Sequence, residues 1–201
     1  MKNKLPIIIA LAAIIGFAIW YGFTDKGHRS YDNNVNTAKY EEIGVLENGM
    51  TVSQTITCEE NQIDAISIKC NPAGAYEETV VNVVVKDAET GEELSAGSDV
   101  GKNVQKRKMH KFNISPIKGY KGKQLIIEVS ETNNSEGNGI TLYYQPTKDH
   151  IGSYLEEGEA KEGVLVMKTI TTRFDVETCI VLFACIMFIW IFMWFLYRLF
   201  K

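Results

Sequence analysis

The sequence has few of the residues that most often perform catalysis, and none of them in a catalytic pattern. Its three histidines, His28, His110 and His150, are far apart, and no HExxH or comparable metal-ligand spacing includes them. The sequence also lacks a glycine-rich phosphate loop, a nucleophile elbow and a cysteine–histidine pair. These absences predict a protein that is not an enzyme and that uses no cofactor.

Cysteine is scarce as well, with four in 201 residues. Cys179 and Cys185 belong to the apolar C-terminal segment, so Cys58 and Cys70 are the only pair in the central part. If the central part lies outside the cell, this pair could form a disulfide. Because each lies in a strand-like run at an apolar position, the two could instead be buried thiols. The sequence leaves both interpretations open.

Positive charge is in the minority. The net charge is −4, and residues 24–176 contain 24 acidic against 17 basic side chains. An acidic excess of this size favours solubility and repels a phosphate backbone, so we predict no nucleic-acid partner.

Long apolar runs occur only at the two ends of the sequence. Residues 178–199 continue for about 20 residues without charge before Arg198, enough at ~1.5 Å per residue to cross a ~30 Å hydrocarbon layer as a helix. We predict this transmembrane helix at 177–197. The run at 5–23 is longer than a usual signal-peptide core and has no small-x-small site before Thr24, so it predicts a retained signal-anchor helix.

Basic residues lie on the outer side of both apolar runs. They are Lys2 and Lys4 at the start, and Arg198 and Lys201 at the end. By the positive-inside rule we expect residues 1–4 and 198–201 in the cytoplasm. This topology predicts an integral plasma-membrane protein with an extracytoplasmic central part.

The central part divides into a polar tether and a β domain. Residues 24–42 are polar and predict a tether without a core. From 43 to 176, short apolar alternations recur every 8–12 residues between polar turns, which is typical of an all-β sandwich or barrel. The predicted strands are 51–58, 63–70, 79–87, 92–96, 104–114, 124–130, 139–145 and 163–173.

Several motifs follow one another along these strands. The run VSQTITCEENQIDAISIKC at 52–70 places a Gln-Thr-aliphatic strand, a polar turn and an Ile-containing strand in succession. VKDAETGEEL at 85–94, the Ser-Pro-Ile and Gly-Lys steps within 115–123, and the segment 152–174 come next. This order resembles the jelly-roll, carbohydrate-binding-module-like domains of bacterial cell-envelope membrane proteins. The resemblance covers about 130 of the 201 residues. It implies a jelly-roll β-sandwich ectodomain flanked by N- and C-terminal transmembrane helices.

The resemblance also implies a role beside the membrane enzymes that build envelope glycans. This chain departs from the arrangement by having only two apolar segments and no catalytic portion. We therefore predict an accessory protein that binds a glycan or a partner and docks on a membrane enzyme. Phe188 and Trp190, deep in the second helix, could form the docking contact or could face lipid.

Tyrosines are the candidates for stacking on a sugar, because a ring with a polar tip suits a half-exposed site. The alternation of a strand predicts that Tyr143 points outward with Thr141 and Gln145, and that Tyr144 points inward with Leu142. An outward tyrosine is also common on ordinary sheet surface. The candidate ligand-binding residues are Tyr76, Tyr120, Tyr143 and Tyr154.

A structural calcium ion is frequent in related sugar-binding sandwiches. The turn at 87–91 offers carboxylates for one, from Asp87, Glu89 or Glu93. No complete calcium-ligand pattern accompanies them, so these side chains could equally be solvated turn residues.

One segment of the acidic central part is strongly basic. From 101 to 123 there are eight bases and no acid. Such a tract could contact anionic lipid or an anionic envelope polymer, which gives an alternative function as a sensory or structural anchor. It could also simply solvate a sheet face. We call these residues the basic tract: Lys102, Lys106, Arg107, Lys108, Lys111, Lys118, Lys121 and Lys123.

Overall fold

The computed structural model describes residues 5–47, 49–146 and 153–200. Within them the chain forms two helices, α1 (Leu5–Gly22) and α2 (Val176–Leu199). The strands are β1 (Phe23–Arg29), β2 (Glu41–Val45), β3 (Thr51–Thr57), β4 (Gln62–Ala73), β5 (Val80–Asp87), β6 (Glu93–Val100), β7 (Lys108–Lys118), β8 (Gln124–Thr132), β9 (Gly139–Gln145), β10 (Ser153–Glu156), β11 (Glu159–Glu162), β12 (Val164–Leu165) and β13 (Met167–Phe174).

The strands form two sheets with a shared apolar core. Sheet A has the order β1-β13-β4-β9-β12, with β2 paired to β9 and β7 paired to β4. Sheet B has the order β11-β10-β3-β8-β5-β6. Apolar side chains of both sheets belong to one buried cluster. The predicted all-β, sandwich-like architecture is therefore confirmed, and the jelly-roll topology stays a prediction.

Sheet B shows the simple alternation that its sequence predicts. In β5, Val81, Val83 and Val85 are fully buried, whereas Val80 and Val84 are partly exposed. A period of two sends successive side chains to opposite faces, so this strand buries one face only.

Sheet A buries both faces of its central strands. In β4, Ile66 and Ile68 point into the core, yet the outward-facing Ser67 is also buried. In β9, Leu142 and Tyr143 point to opposite faces and both are buried. A further layer of chain must therefore cover the outside of sheet A.

Residues 24–42 supply part of that layer and do not form the expected tether. They contain most of β1, a 3-10 turn at Thr37–Lys39 and the start of β2. Ser30 Oγ donates to the carbonyls of Leu165 at 3.0 Å and Met167 at 2.9 Å. Edge strands are held by backbone hydrogen bonds to the neighbouring strand more than by apolar side chains. A polar composition therefore does not exclude strands in residues 24–42.

Sheets A and B approach each other closely where β6 meets β7. A Cβ built on Gly97 would lie 2.2 Å from the backbone oxygen of Asn113, so only glycine fits there. Nearby, Ser95 Oγ donates to the carbonyl of Ser115 at 2.8 Å. This side of the sandwich is closed.

The chain divides into two compact units. One comprises Gly27–Thr171, which is the sandwich, so the β unit begins well before the expected residue 43. The other comprises the chain through Lys26 and the chain from Thr172.

In the second unit, the start of α2 is fixed by a charged cap. Asp175 accepts a hydrogen bond from the Thr178 amide at 3.1 Å and pairs with Lys26 Nζ at 2.6 Å. The pKa of Asp175 is lowered to about 2, mainly by the hydrogen bond from Lys26 and next by the one from the Thr178 amide. A carboxylate at a helix N-terminus is stabilising because it satisfies free amides and complements the helix dipole.

Among the described residues, α2 is the one helix long and apolar enough to cross a membrane, with a mean hydropathy of 2.8. The span predicted at 5–23 forms α1, whose part Ile9–Gly22 is a shorter apolar helix. Its crossing of the bilayer and the cytoplasmic location of both termini stay predictions. Lys2, Lys4 and Lys201 lie outside the described residues.

Candidate functional site

The four candidate tyrosines do not form an exposed stacking platform. Tyr143 and Tyr154 are buried, and Tyr76 and Tyr120 are partly buried against the core. Tyr154 packs in the core against Tyr144, with ring centroids 5.3 Å apart. The expectation of half-exposed sugar-stacking rings is therefore wrong for Tyr143 and Tyr154.

Tyr143 does share the outward face of β9 with Thr141 and Gln145, as the alternation predicts. That face is covered, however. Glu42 on β2 accepts hydrogen bonds from the hydroxyls of Tyr143 at 2.7 Å and Thr141 at 2.8 Å. Lys69 Nζ lies 4.8 Å from the Tyr143 ring centroid. Tyr143 thus joins β9 to the neighbouring strand β2 on the outer face of sheet A.

Glu42 is the centre of a cluster of polar side chains on the outer face of sheet A. Asn71 Nδ2 donates to both of its carboxylate oxygens, at 3.0 and 3.1 Å. Burial alone would raise the pKa of Glu42, but the hydrogen bonds from Tyr143, Asn71 and Thr141 outweigh it and hold the pKa below its ordinary value. The arrangement favours the ionised carboxylate.

The basic tract is exposed but does not form one patch. Lys108 is paired with Cys70 and Lys118 with Gln62, so the two lysines lie at opposite ends of the β4–β7 ladder. At about 3.3 Å per residue, these ends are roughly 25 Å apart, well beyond the Debye length of ~8–10 Å. The basic tract therefore forms two separate groups. One group contains Lys102, Lys106, Arg107, Lys108 and Lys111, and the other contains Lys118, Lys121 and Lys123.

The two central cysteines are unbonded and buried. Cys58 follows β3 in sheet B, whereas Cys70 lies at the far end of β4 from Gln62. Cys58 lies in the short connection that leads into β4 at Gln62. From Gln62, eight residues of strand, roughly 26 Å, lead to Cys70, while a disulfide needs Cα atoms about 6 Å apart. The Cys58–Cys70 disulfide is therefore absent, and the alternative of two buried thiols holds.

The proposed calcium carboxylates have other roles in the turn after β5. Asp87 Oδ1 accepts the amides of Glu89 at 2.7 Å and Thr90 at 3.2 Å. These two backbone hydrogen bonds lower the pKa of Asp87. Within the described part of the chain, no three His, Cys, Asp or Glu side chains converge on a point that could hold a metal ion.

The histidines do not come together either. His110 Nε2 lies 2.9 Å from Asp99 Oδ2, and its ring contacts Phe112 edge-on. His28 lines the cavity described below. His150 lies outside the described residues.

Glu131 is a fully buried carboxyl group that the sequence analysis missed. It accepts the Ile140 amide at 3.0 Å and Asn134 Nδ2 at 3.1 Å. Burial raises the pKa of Glu131 to about 7, although both hydrogen bonds lower it. Its position could have been inferred, because Glu131 shares the parity of the buried Ile127 and Val129 in β8.

A cavity of about 560 Å³ opens on the side of the sandwich opposite the contact between β6 and β7. We call it the side cavity. β3 borders it from sheet B, and β13 with the end of β1 borders it from sheet A. This volume is within the range of 300–1,000 Å³ that small ligands use. No sequence pattern identified it, because its walls come from distant segments.

The side cavity combines an apolar floor with a polar rim. The floor includes Ile56, Ile66, Ile127 and Met167. Gln54 joins the two sheets at the base, where its Oε1 accepts the Leu165 amide at 2.6 Å. The rim carries three bases and one acid: His28, Arg29, Lys168 and Glu59. No Phe, Tyr or Trp ring is among the described residues that line it.

No protein-family model matches the sequence, and no curated protein matches it. Function must therefore be inferred from the geometry of the molecule itself. The side cavity has the volume, the apolar floor and the polar rim of a site that can bind and orient a ligand.

Proposed function

We propose that this chain is a membrane-anchored, non-enzymatic accessory protein of bacterial cell-envelope polysaccharide or polymer assembly. Its sandwich, taken as a jelly roll, would bind a partner protein or a glycan outside the cell. α2, together with α1, would hold it in the plasma membrane with both termini in the cytoplasm. The observation that carries the proposal is the side cavity, which has the volume of a binding site, an apolar floor and a polar rim.

A protein partner is favoured over a glycan. Sugar recognition commonly uses an aromatic face, and the described lining of the side cavity contains none. The tyrosines that could have supplied such a face are at least partly buried against the core. The rim is polar and the floor apolar, as in the sites where proteins receive side chains of a partner.

Co-purification from native membranes tests the proposal. Ile56→Trp fills the side cavity, because Ile56 is partly buried and lines it. Ile126→Trp is the matched control: it lies beside Thr55 on β8, is partly buried and does not line the cavity. We expect the wild type and Ile126→Trp to retain a membrane enzyme that Ile56→Trp loses. Recovery of the wild type alone, with no binding on glycan arrays, would contradict the proposal.

The basic tract supports a second candidate, an anchor that contacts anionic lipid or envelope polymer. All eight of its bases are exposed. Each cation near an anionic surface contributes about 1 kcal/mol, so a group of three is enough for measurable binding. The two groups of the tract allow a matched test.

Charge reversal of Lys106, Arg107 and Lys108 to Glu should abolish binding to anionic liposomes or teichoic acid. The same reversal of Lys118, Lys121 and Lys123 changes the net charge equally at the other end of β7. Loss with the first triple and retention with the second would place the contact at the start of β7. Binding that is unchanged by both and insensitive to salt rules the anchor out.

A further inference from the structure

One edge of β3 is free over the second half of the strand. On one side, β8 pairs with every residue from Thr51 to Thr57. On the other side, β10 pairs only with Val52 and Ser53. Among the residues that the structure describes, no strand pairs with this edge beyond Ser53. The free edge is therefore the direct continuation of the position that β10 occupies.

The backbone groups of Thr55 and Thr57 point to this free edge. In a strand, the N–H and C=O of one residue point to the same side, and the side alternates along the chain. The Thr51 carbonyl accepts the Glu157 amide at 3.0 Å on the β10 side, and the Cys58 amide donates to Lys123 at 2.9 Å on the β8 side. Odd-numbered residues of β3 thus direct two donors and two acceptors outward, from Thr55 and Thr57.

The free edge borders the side cavity along its length. Five successive residues of β3, Ser53–Thr57, line the cavity. A strand added next to β3 would share its faces, so a side chain opposite Ile56 would point to the cavity floor formed by Ile66 and Ile127. One added strand would therefore satisfy the backbone edge and fill the side cavity together.

We infer that this edge binds an extended peptide segment of a partner protein by β-strand addition. The peptide backbone pairs with Thr55 and Thr57 in line with β10, and an apolar side chain of the peptide enters the side cavity. This inference rests on the proposed function, because it takes the sandwich as the body that binds a partner. It adds the mode of binding and the kind of partner segment.

The charge of the rim selects the flanking residues of the peptide. His28, Arg29 and Lys168 oppose a single acid, Glu59. Neither Arg29 nor Lys168 forms an ion pair with a described residue. Acidic residues two positions from the apolar one lie on the same face of the added strand and therefore complement the rim. A lipid chain has no donors or acceptors to match the two threonines, and the hydroxyls of a sugar do not repeat at the spacing of a β-strand, so a peptide is favoured over both.

Hydrogen exchange of the free, full-length protein in detergent micelles tests the first requirement. The amides of Gln54 and Ile56 point toward β8, whereas those of Thr55 and Thr57 point to the free edge. We expect the threonine amides to exchange at least about 100-fold faster, since unpaired amides lack the protection of a ladder. Equal protection of all four amides would mean that the edge is already occupied, which overturns the inference.

Peptide binding tests the mode directly, by anisotropy of labelled probes. The probe acetyl-TDTVTDT-amide places one valine between two aspartates on the same face of the strand, and acetyl-TKTVTKT-amide reverses the charge. A version in which the two threonines next to the valine are N-methylated removes the backbone donors that face Thr55 and Thr57. We expect binding of the first, measurable below about 1 mM, and at least about a tenfold loss for each of the others. Equal binding of the plain and N-methylated peptides overturns the inference, as does no binding of the first.

A variant pair isolates the backbone of β3. Thr55→Pro removes one edge N–H and is tolerable because the group faces away from β8, while Thr55→Val keeps the backbone and removes only the hydroxyl. We expect about a tenfold weaker affinity for the proline variant and no change for the valine variant. If thermal unfolding shows that Thr55→Pro does not fold, Thr57→Pro and Thr57→Val take its place. Equal affinities of the proline and valine variants contradict strand addition.

Two further outcomes separate this inference from the proposed function. If Ile56→Trp loses the native partner in co-purification while Thr55→Pro keeps it, the function stands and strand addition is wrong. If octyl phosphate fills the side cavity and the first peptide leaves the exchange of Thr55 unchanged, the side cavity is a site for an anionic lipid and the inference is wrong again.

Discussion

The outer faces of the two sheets differ in what covers them. On sheet B, the outward residues of β5 and β8 remain partly exposed, and Lys86 pairs with Glu128 there at 2.6 Å. On sheet A, the outward Ser67, Thr141 and Gln145 are all buried. Sheet B follows the usual rule of one apolar and one wet face, and sheet A does not.

The layer over sheet A is held by hydrogen bonds as well as by packing. Asp32 and Gln145 exchange two hydrogen bonds, at 2.9 and 3.1 Å, and Glu42 accepts from three side chains of β4 and β9. Asp32 and Glu42 are themselves exposed, but their partners Thr141, Tyr143 and Gln145 are buried, and buried polar groups are stable only when they are hydrogen-bonded. Sheet A should therefore be sensitive to substitutions that sheet B tolerates.

The largest effect is expected where β8 of sheet B ends against β9 of sheet A. Because burial raises the pKa of Glu131 from 4.5 to about 7, the folded protein keeps a proton that the unfolded chain releases. Stability should then be full below about pH 4.5 and fall as the pH rises through 7. Glu131→Gln should flatten this slope and add on the order of 3 kcal/mol at pH 8.

Urea unfolding of the full chain, followed by the β-sheet circular dichroism signal across this pH range, measures that slope. Glu128→Gln is the control, because Glu128 is on the partly exposed face of the same strand. A variant Glu131→Gln with the slope of the wild type would show that Glu131 is ionised in the native state.

The same substitution on the two outer faces gives the next largest difference. Ser67 is 2% exposed on sheet A, whereas Ser130 is partly exposed on sheet B. Ser67→Tyr should cost about 1–3 kcal/mol because the ring has no room. Ser130→Tyr should stay within about 0.5 kcal/mol. Equal unfolding midpoints in urea would mean that the layer over sheet A is loose in solution.

A carboxylate on each sheet provides a smaller contrast. Glu42→Ala leaves the Tyr143 hydroxyl without its acceptor, whereas Thr141 keeps the Asn71 carbonyl, and the substitution should cost about 1–2 kcal/mol. Glu128→Ala removes only a partly exposed ion pair and should cost less than about 1 kcal/mol. Thermal unfolding of both variants measures the two losses of stability. An equal loss would argue against a structural role of Glu42.

The smallest effect is expected for the contact that holds the start of the layer. Gln145→Ala removes both hydrogen bonds to Asp32, for which we expect about 1 kcal/mol. Because the contact is local, faster hydrogen exchange should appear at residues 30–36 before the sandwich unfolds. Exchange that accelerates uniformly throughout the sandwich would show that the layer is not a separate cooperative segment.

Four strands of sheet B, β3, β5, β6 and β8, could be predicted from the sequence because their pattern is local, whereas β10 and β11 were not predicted. Alternating Val and Ile residues predicted β5 and β8 nearly to the residue, and β7 was placed four residues early, ending before Pro116. Pro116 is accepted in β7 because that strand lies at a sheet edge, beside an irregularity in its register with β4.

The covering layer and the site could not be predicted in the same way. β1 and β2 are polar, and their respective partners, β13 and β9, are about 100 or more residues away in sequence. Tyr143 was assigned to the correct face, but no local signal says what lies on top of it. The side cavity likewise depends on where β10 leaves β3, which is decided by tertiary packing.

The two unbonded thiols of the sandwich can be used to measure how often the fold opens. Burial raises the pKa of both Cys58 and Cys70, so neither is present as reactive thiolate while the fold is closed. An alkylating reagent can therefore modify them only during excursions that expose the interior. Cys58 directly follows β3 of sheet B, and Cys70 lies in β4 of sheet A, which is covered on both faces. Their relative alkylation rates would therefore report which sheet opens first.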